Sequence, residues 1–209
     1  EVIRAVPQMP LMLQENLTAR LLEMLRNGEI DCAILAEPFP DTGLAIAPLY
    51  DEPFMAAVPA NHWLANEPHV SSEQLRNETM LLLGNGHCFR DHVLEVCPEF
   101  ARYASHADGM RKSFEGSSLE TIKHMVAAGM GITLVPRLSV PDFKPAGKRA
   151  SARDASPVRY LPVVDAHGGQ PPTRRVVLAW RRSFTRYEAI AALRNAIYAC
   201  ALPGVTRLS

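Results

Sequence analysis

Two of the four cysteines of this 209-residue chain lie nine positions apart, in the stretch GHCFRDHVLEVC from Gly86 to Cys97. His87 directly precedes the first of them, Cys88. Such a pair can be two unrelated buried thiols, a structural disulfide, part of a metal site, or the two halves of a redox switch. A metal site is disfavoured because adjacent His87 and Cys88 are awkward joint ligands and the stretch has neither Cys-x2-Cys nor His-x3-His spacing.

The residues between the two cysteines predict a helix, since the segment from Phe89 to Val96 contains neither glycine nor proline. Over nine residues an α-helix advances roughly 13 Å and turns the second cysteine to the opposite face. A disulfide needs Cα atoms about 4.4 to 6.8 Å apart. We therefore expect an intact helix to prevent the bridge, so that oxidation would have to unwind or rebuild this segment.

The two cysteines are predicted to differ in reactivity. Cys88 lies at the start of the helix, where the helix dipole and the neighbouring His87 and Arg90 would stabilise a thiolate. Cys97 lies at the other end and has no such support. If the pair is redox-active, Cys88 is the thiol that an oxidant converts to a sulfenic acid, and Cys97 attacks it, closing a disulfide and releasing water.

Composition excludes several classes of protein. Lys plus Arg equals Asp plus Glu at 22 each, so the chain lacks the basic excess of a module that itself grips DNA. No apolar run approaches the roughly 20 residues that are needed to cross a bilayer. The first residues have neither the apolar core nor the cleavage site of a signal peptide. Four cysteines without a regular framework favour a cytoplasmic protein, and Cys32 and Cys200 are expected to be ordinary buried thiols.

The pattern along the chain alternates between strands and helices. The stretch LTARLLEML at 17–25 predicts a helix, preceded by a strand at 9–15 and followed by a strand at 30–36, which would make one βαβ unit with a parallel pair. The stretch SSLETIKHMVAAGMGITLVP predicts a helix with a capping box at Ser117, an end at Gly129 and a following strand. A polar loop is predicted at 142–157. This alternation indicates an α/β fold with mostly parallel sheets.

Three of these stretches together resemble the hydrogen-peroxide-sensing LysR-type transcription regulators: GHCFRDHVLEVC, SSLETIKHMVAAGMGITLVPRLSVP and LTARLLEMLRNGEIDCAIL. The resemblance covers nearly the whole chain. The second stretch is shared by LysR-type effector domains in general, whereas GHC followed by a cysteine nine positions later is specific to the peroxide sensors.

The resemblance implies a fold of two Rossmann-like α/β subdomains, arranged as in periplasmic binding proteins and joined by two crossing strands. Residues 1–51 with 176–209 would form one subdomain and residues 52–175 the other. The family's N-terminal winged helix-turn-helix and linker helix are not in this sequence, which is consistent with its neutral charge. We expect the chain to be the regulatory portion of a longer protein.

The resemblance also implies roles for individual residues. Cys88 corresponds to the peroxidatic cysteine and Cys97 to the resolving cysteine. Side chains expected to border the peroxide or the thiolate are Thr18, His87 and Arg175. A second pocket threonine belongs to a strand that this sequence does not contain. Ser117 and Ser118 are expected to line the cleft at a helix N-terminus, where relatives bind anionic effectors.

The partners that the resemblance implies are hydrogen peroxide, promoter DNA through the missing domain, RNA polymerase, further copies of the chain in dimers and tetramers, and glutaredoxin or thioredoxin as reductant. No cofactor, metal or membrane is expected. The chemistry would be stoichiometric, so the chain is expected not to be an enzyme. Two alternatives remain: a thiol peroxidase with sustained turnover, and a LysR-type module that binds a small organic acid and carries incidental cysteines.

Overall fold

The chain divides into two compact units. A computed structural model describes residues 1–40, 43–98, 100, 114–141, 156–165 and 170–208. The first unit is Glu1–Glu52 with Arg174–Ser209, and the second is Pro53–Thr173. The subdomain boundaries expected from the resemblance fall after residue 51 and after residue 175, close to these divisions. Most of the loop predicted at 142–157 lies outside the described residues.

The predicted alternation of helices and strands is confirmed, so the fold is α/β. The described helices are α1 (Val2–Ala5), α2 (Thr18–Asn27), α3 (Ser72–Leu75), α4 (Cys88–Val96), α5 (Leu119–Ala127) and α6 (Tyr187–Ala199). The described strands are β1 (Cys32–Ala36), β2 (Leu44–Pro59), β3 (Val70–Ser71), β4 (Leu81–Leu83), β5 (Phe114–Gly116), β6 (Thr133–Pro136), β7 (Val158–Val164), β8 (Thr173–Arg181) and β9 (Thr206–Arg207). None of the described helices has the length and apolar character needed to span a membrane.

In the first unit, the sheet is covered on both faces. Strand β1 pairs antiparallel with β8, from Cys32 opposite Trp180 to Ala36 opposite Val176. Alternate residues of the two strands point to opposite faces. One face packs against helix α2 through Leu22 and Leu25, and the other face packs against α6 through Ile190. The cores of this unit therefore lie between the sheet and these two helices.

The βαβ arrangement predicted at the start of the chain is wrong. The apolar run at 9–15 forms no strand, and Met12 and Leu13 are 95% and 86% exposed. The expected parallel pair is also absent from the described residues, because β1 pairs antiparallel with β8. An apolar run becomes a strand only when another strand's backbone groups pair with it. The strand that pairs with β1 comes from the far end of the chain, which a local pattern does not show.

The second unit contains the largest apolar core among the described residues. Strand β2 continues into this unit and pairs antiparallel with β6 and with β7. Strand β3 pairs parallel with β7, and β4 pairs parallel with β5. The described pairings are therefore mixed, and the expectation of mostly parallel sheets is wrong. In β2, the residues from Phe54 to Val58 are at most 4% exposed, as expected for a strand buried on both faces.

Capping interactions explain where helix α5 begins and ends. The N-cap is Ser118, whose hydroxyl accepts a hydrogen bond from the Thr121 N–H at 3.2 Å, rather than Ser117 as the capping-box spacing predicts. At the other end, Gly129 has φ +77° and donates its N–H to the Val126 carbonyl at 2.9 Å. Glycine adopts this left-handed conformation without a steric penalty, so the predicted helix end is confirmed.

Gly131 lies close to the backbone of Thr79, and this contact gives a test of the packing in the second unit. A Cβ atom there would lie 2.5 Å from the Thr79 carbonyl oxygen, which already accepts the Ile132 N–H at 2.9 Å. We expect Gly131→Ala to lower the free energy of unfolding by about 1–3 kcal/mol, because the backbone must shift to admit the methyl group. Urea unfolding of the reduced protein measures this.

Gly84→Ala is the matched control, since its Cβ would meet no atom closer than the Gly116 carbonyl oxygen at 3.9 Å. Equal destabilisation by the two alanines would contradict the assignment of the effect to the contact with Thr79.

Candidate functional site

Helix α4 carries the cysteine pair, one thiol at each end. Cys88 is its first residue, and Cys97 is the C-cap that follows its last residue, Val96. The predicted helix is thus confirmed. His87 is the N-cap, with an extended backbone and no capping bond from its side chain. Both cysteines have free thiols, and nine residues of helix place them roughly 13 Å apart along the axis and on opposite faces. This arrangement cannot be bridged while α4 is intact.

The two thiols have different surroundings. Cys88 and His87 are half-buried at the N-terminal turn of α4. Cys97 is 1% exposed and belongs to the apolar core of the second unit together with Val93 and Phe100. Its backbone N–H donates to the Val93 carbonyl at 2.9 Å, which extends the helical turn. Burial raises the pKa of Cys97 to about 12, so this thiol is neutral at physiological pH.

A buried arginine anchors α4 to the sheet beneath it. The Arg90 Nη1 group donates to the Leu83 carbonyl of β4 at 2.9 Å and lies 2.9 Å from a carboxylate oxygen of Glu115 in β5. The sequence predicts that Arg90 stabilises a thiolate at Cys88, but in the structure its charge is paired with Glu115. Arg90 therefore contributes mainly to holding α4 in its helical position.

The two serines at the start of α5 are both exposed. The Ser118 hydroxyl is engaged in capping, and it lies 3.0 Å from the Thr121 hydroxyl. Ser117 precedes it and takes no part in the cap. The anion-binding role expected of this pair stays a prediction.

Thr18 and Arg175 lie in the first unit, whereas Cys88, Cys97, His87 and the two serines lie in the second. Thr18 is the half-buried first residue of α2. Arg175, in β8, makes a bidentate ion pair with Asp51 of β2, with Nε to Oδ1 at 2.9 Å and Nη2 to Oδ2 at 3.0 Å. The hydrogen bond to Asp51, reinforced by its charge, raises the pKa of Arg175.

A second ion pair lies directly beside the first and was not predicted. Arg174 donates from Nε and Nη2 to one oxygen of Glu52, at 3.0 and 2.8 Å. Glu52 is 1% exposed. In the sequence, these contacts are indicated only by two adjacent acidic residues in one strand and two adjacent basic residues in another. The pairing of the strands is what shows that the acidic and basic residues meet.

No group of three or more His, Cys, Asp and Glu side chains within the described ranges could hold a metal ion.

Comparison with known proteins identifies the family. The LysR substrate binding domain family matches residues 1–199. The hydrogen peroxide-inducible genes activator of Pectobacterium carotovorum subsp. carotovorum is 37% identical over 191 residues, which are 90% of this chain and 57% of that protein. The chain thus spans little more than half the length of this relative.

Two solved structures represent the two redox states of OxyR. The reduced form of OxyR from N. meningitidis has a TM-score of 0.86 and 39% identity, with coverage of 100% of this chain and 89% of that chain. An oxidised form of OxyR has a TM-score of 0.71 and 31% identity, with coverage of 95% and 84%. The chain belongs to the LysR substrate binding domain family, and its similarity is to the OxyR regulatory domains within it.

Proposed function

We propose that this chain is the peroxide-sensing regulatory domain of a LysR-type transcription factor. The observation that carries this proposal is the arrangement of α4, which holds a half-buried thiol at its N-terminus and a fully buried thiol at its C-terminus. Similarity to both reduced and oxidised OxyR supports it. The Cys88 thiol is the sensing group, and the oxidised state is a Cys88–Cys97 disulfide.

The chemistry proceeds in two steps. In the first, the thiolate sulfur of Cys88 attacks one oxygen of hydrogen peroxide, the O–O bond breaks, and the departing hydroxide takes up a proton to become water. Cys88 is then a sulfenic acid. In the second step the Cys97 sulfur attacks this sulfur, the S–S bond forms, and a second water leaves with the Cys97 proton. Overall, two thiols are oxidised and one peroxide is reduced to two waters.

The burial and the protonation of the Cys97 thiol determine the order of these steps. A thiol reacts as its thiolate, and Cys97 is neutral and excluded from solvent while α4 is intact. Cys97 therefore becomes a nucleophile only after the end of α4 leaves the core. The rearrangement of residues 86 to about 105 that follows is the signal that the domain transmits.

Three further side chains are proposed to assist the first step. Thr18 and Arg175 donate hydrogen bonds to the peroxide and to the departing hydroxide, and His87 supports the adjacent thiolate. Ser117 and Ser118 are proposed to be a residual anion-binding feature of the fold. Substitution of these serines is not expected to alter the peroxide reaction.

In the full-length protein, the rearrangement is proposed to change packing within a homodimer or homotetramer and so reposition the N-terminal winged helix-turn-helix on promoter DNA. RNA polymerase is the proposed downstream partner. Glutaredoxin or thioredoxin in the cytoplasm restores the reduced state. Each domain reacts once per reduction, so its role is that of a stoichiometric sensor, in keeping with relatives named as transcription regulators.

The first experiment is mass spectrometry of tryptic peptides after one equivalent of hydrogen peroxide. We expect the reduced domain to form a Cys88–Cys97 cross-linked peptide within seconds. Cys97→Ser should instead accumulate a sulfenic acid at Cys88, trapped by a 1,3-diketone, because the resolving thiol is missing. Cys88→Ser should give neither product.

Cys32→Ser and Cys200→Ser are the matched controls, since both cysteines lie in the first unit, away from α4 along the chain. These variants should form the cross-link at the wild-type rate. Slow oxidation of all four cysteines to a similar extent would rule out Cys88 as the sensing thiol.

The raised pKa of Cys97 predicts a pH-dependent stability. The folded protein holds the Cys97 proton up to pH of about 12, whereas in the unfolded chain a thiol ionises near its ordinary value of 9.0. The unfolded state therefore binds fewer protons above pH 9, and this group's contribution is lost as the pH rises toward 12. The wild type should lose about 1.4 kcal/mol per pH unit more than Cys97→Ala over this range.

Anaerobic urea unfolding of both proteins at pH 7, 9 and 10 measures this difference. The alanine variant is less stable at pH 7 because of the cavity it leaves, so the comparison is between slopes. Every other titrating group is common to the two proteins. Parallel stability curves above pH 9 would show that Cys97 is not held in its neutral form.

A further inference from the structure

The first turn of α4 packs on strand β2 through two aromatic rings. Phe89 directly follows Cys88, and its ring is stacked on that of Phe54, with the ring centroids 5.6 Å apart and the ring planes at 29°. Both side chains belong to the apolar core of the second unit, where Phe89 is 7% and Phe54 is 2% exposed. Stacking of two buried rings adds to the free energy gained from burial alone. The stack therefore stabilises the helical position of the residue next to Cys88.

Phe54 lies where the chain passes from one unit to the other. Strand β2 crosses from the first unit to the second after Glu52, and the chain returns to the first unit after Thr173. Within the second unit, the Phe54 N–H donates to the carbonyl of Pro172 at 3.2 Å. This hydrogen bond, which we call the junction bond, ties the outgoing passage of the chain to the returning one.

The proposed disulfide rearranges the segment that carries Phe89. A bond between Cys88 and Cys97 closes a ring that contains Phe89, and the nine-residue helix cannot persist in that ring because its ends are too far apart. Phe54 lies in β2, outside the segment that rearranges. The two stacked rings therefore connect the segment that responds to peroxide with the strand that passes between the units.

We propose that the stack of Phe89 on Phe54 couples the redox state of α4 to the junction bond. Closing of the disulfide separates the two rings and weakens the hydrogen bond from Phe54 to Pro172. This inference rests on the proposed function, which assigns the disulfide to Cys88 and Cys97. Because coupling is reciprocal, a stack that stabilises the reduced state must also oppose disulfide formation. Phe54 is thus a positioning residue that acts on the redox equilibrium through Phe89.

The equilibrium with glutathione tests the effect on disulfide formation. Glutathione disulfide oxidises the two thiols to a disulfide and is itself reduced to two molecules of glutathione, which take up the two thiol protons. The fraction of cross-linked peptide at fixed glutathione ratios gives the equilibrium constant. Every protein in this experiment carries Cys32→Ser and Cys200→Ser, so that only one cysteine pair can react.

Phe54→Leu and Phe89→Leu should each raise the equilibrium constant for disulfide formation by about threefold to tenfold, because the reduced state loses the stack. The double variant should raise it no further than the larger of the two single changes, since both substitutions remove the same contact. Phe54→Leu is the more direct test, because it leaves the sequence of α4 unaltered.

Hydrogen exchange of the Phe54 amide measures the junction bond itself. Two-dimensional NMR of the reduced and the disulfide forms gives this rate for a single amide. We expect exchange about tenfold faster in the disulfide form, because the bond to the Pro172 carbonyl is weakened. The Ala60 N–H, which follows the far end of β2 and donates to the Pro157 carbonyl at 2.9 Å, is the internal control. Its exchange rate should be the same in both forms.

Val70→Ala is the matched control for a general loss of packing. Val70 is fully buried in the same apolar core, but it lies in β3, which pairs with β7. Its substitution should destabilise the reduced and the disulfide forms equally, and so leave the glutathione equilibrium unchanged.

Three results would overturn the proposal. They are an unchanged equilibrium constant in Phe54→Leu, additive effects of the two leucine substitutions, and equal exchange of the Phe54 amide in the two redox forms. If Phe54→Leu does not fold, Phe54→Met enters the same cycle. A parent protein that forms no disulfide between Cys88 and Cys97 would instead reject the proposed function.

Discussion

A continuous helix of nine residues cannot bring its first residue and the residue after its last within disulfide distance, and this constraint governs the behaviour of α4. Cys88 and Cys97 occupy those two positions. Formation of the proposed disulfide must therefore break helical hydrogen bonds and remove Cys97 from the core. Exposure of buried apolar surface costs free energy, so the proposed chemistry is coupled to a structural change that the core opposes.

The anchor at Arg90 opposes the same change. Its bonds to the Leu83 carbonyl and to Glu115 tie the first turns of α4 to β4 and β5. Removal of α4 from this position would leave the Leu83 carbonyl without the Arg90 donor. Helix α4 is thus held at both ends, by the contacts of Arg90 near Cys88 and by apolar packing around Cys97.

The four cysteines differ in their properties because their surroundings differ. Burial, and to a smaller extent the charge of Asp31, raises the pKa of Cys32 within β1. Cys200 caps α6 and Cys97 caps α4, but only Cys97 is fully buried. Cys88 combines partial exposure with a helix N-terminus. Cys88 is the proposed site of reaction with peroxide, because a nucleophilic thiol must be accessible to its reagent.

Sequence patterns predicted several local elements and the conflict between an intact helix and a disulfide. The helix from Cys88 to Val96 and the left-handed Gly129 that follows α5 depend on interactions within a few residues, which a local pattern records. Contacts between distant segments explain why β1 pairs antiparallel with β8, why residues 9–15 form no strand, and why Arg90 binds Glu115. They also explain why Asp51 holds Arg175, 124 residues away. Hydrophobic periodicity defines the buried face of a segment but carries no information about which distant segment packs against it.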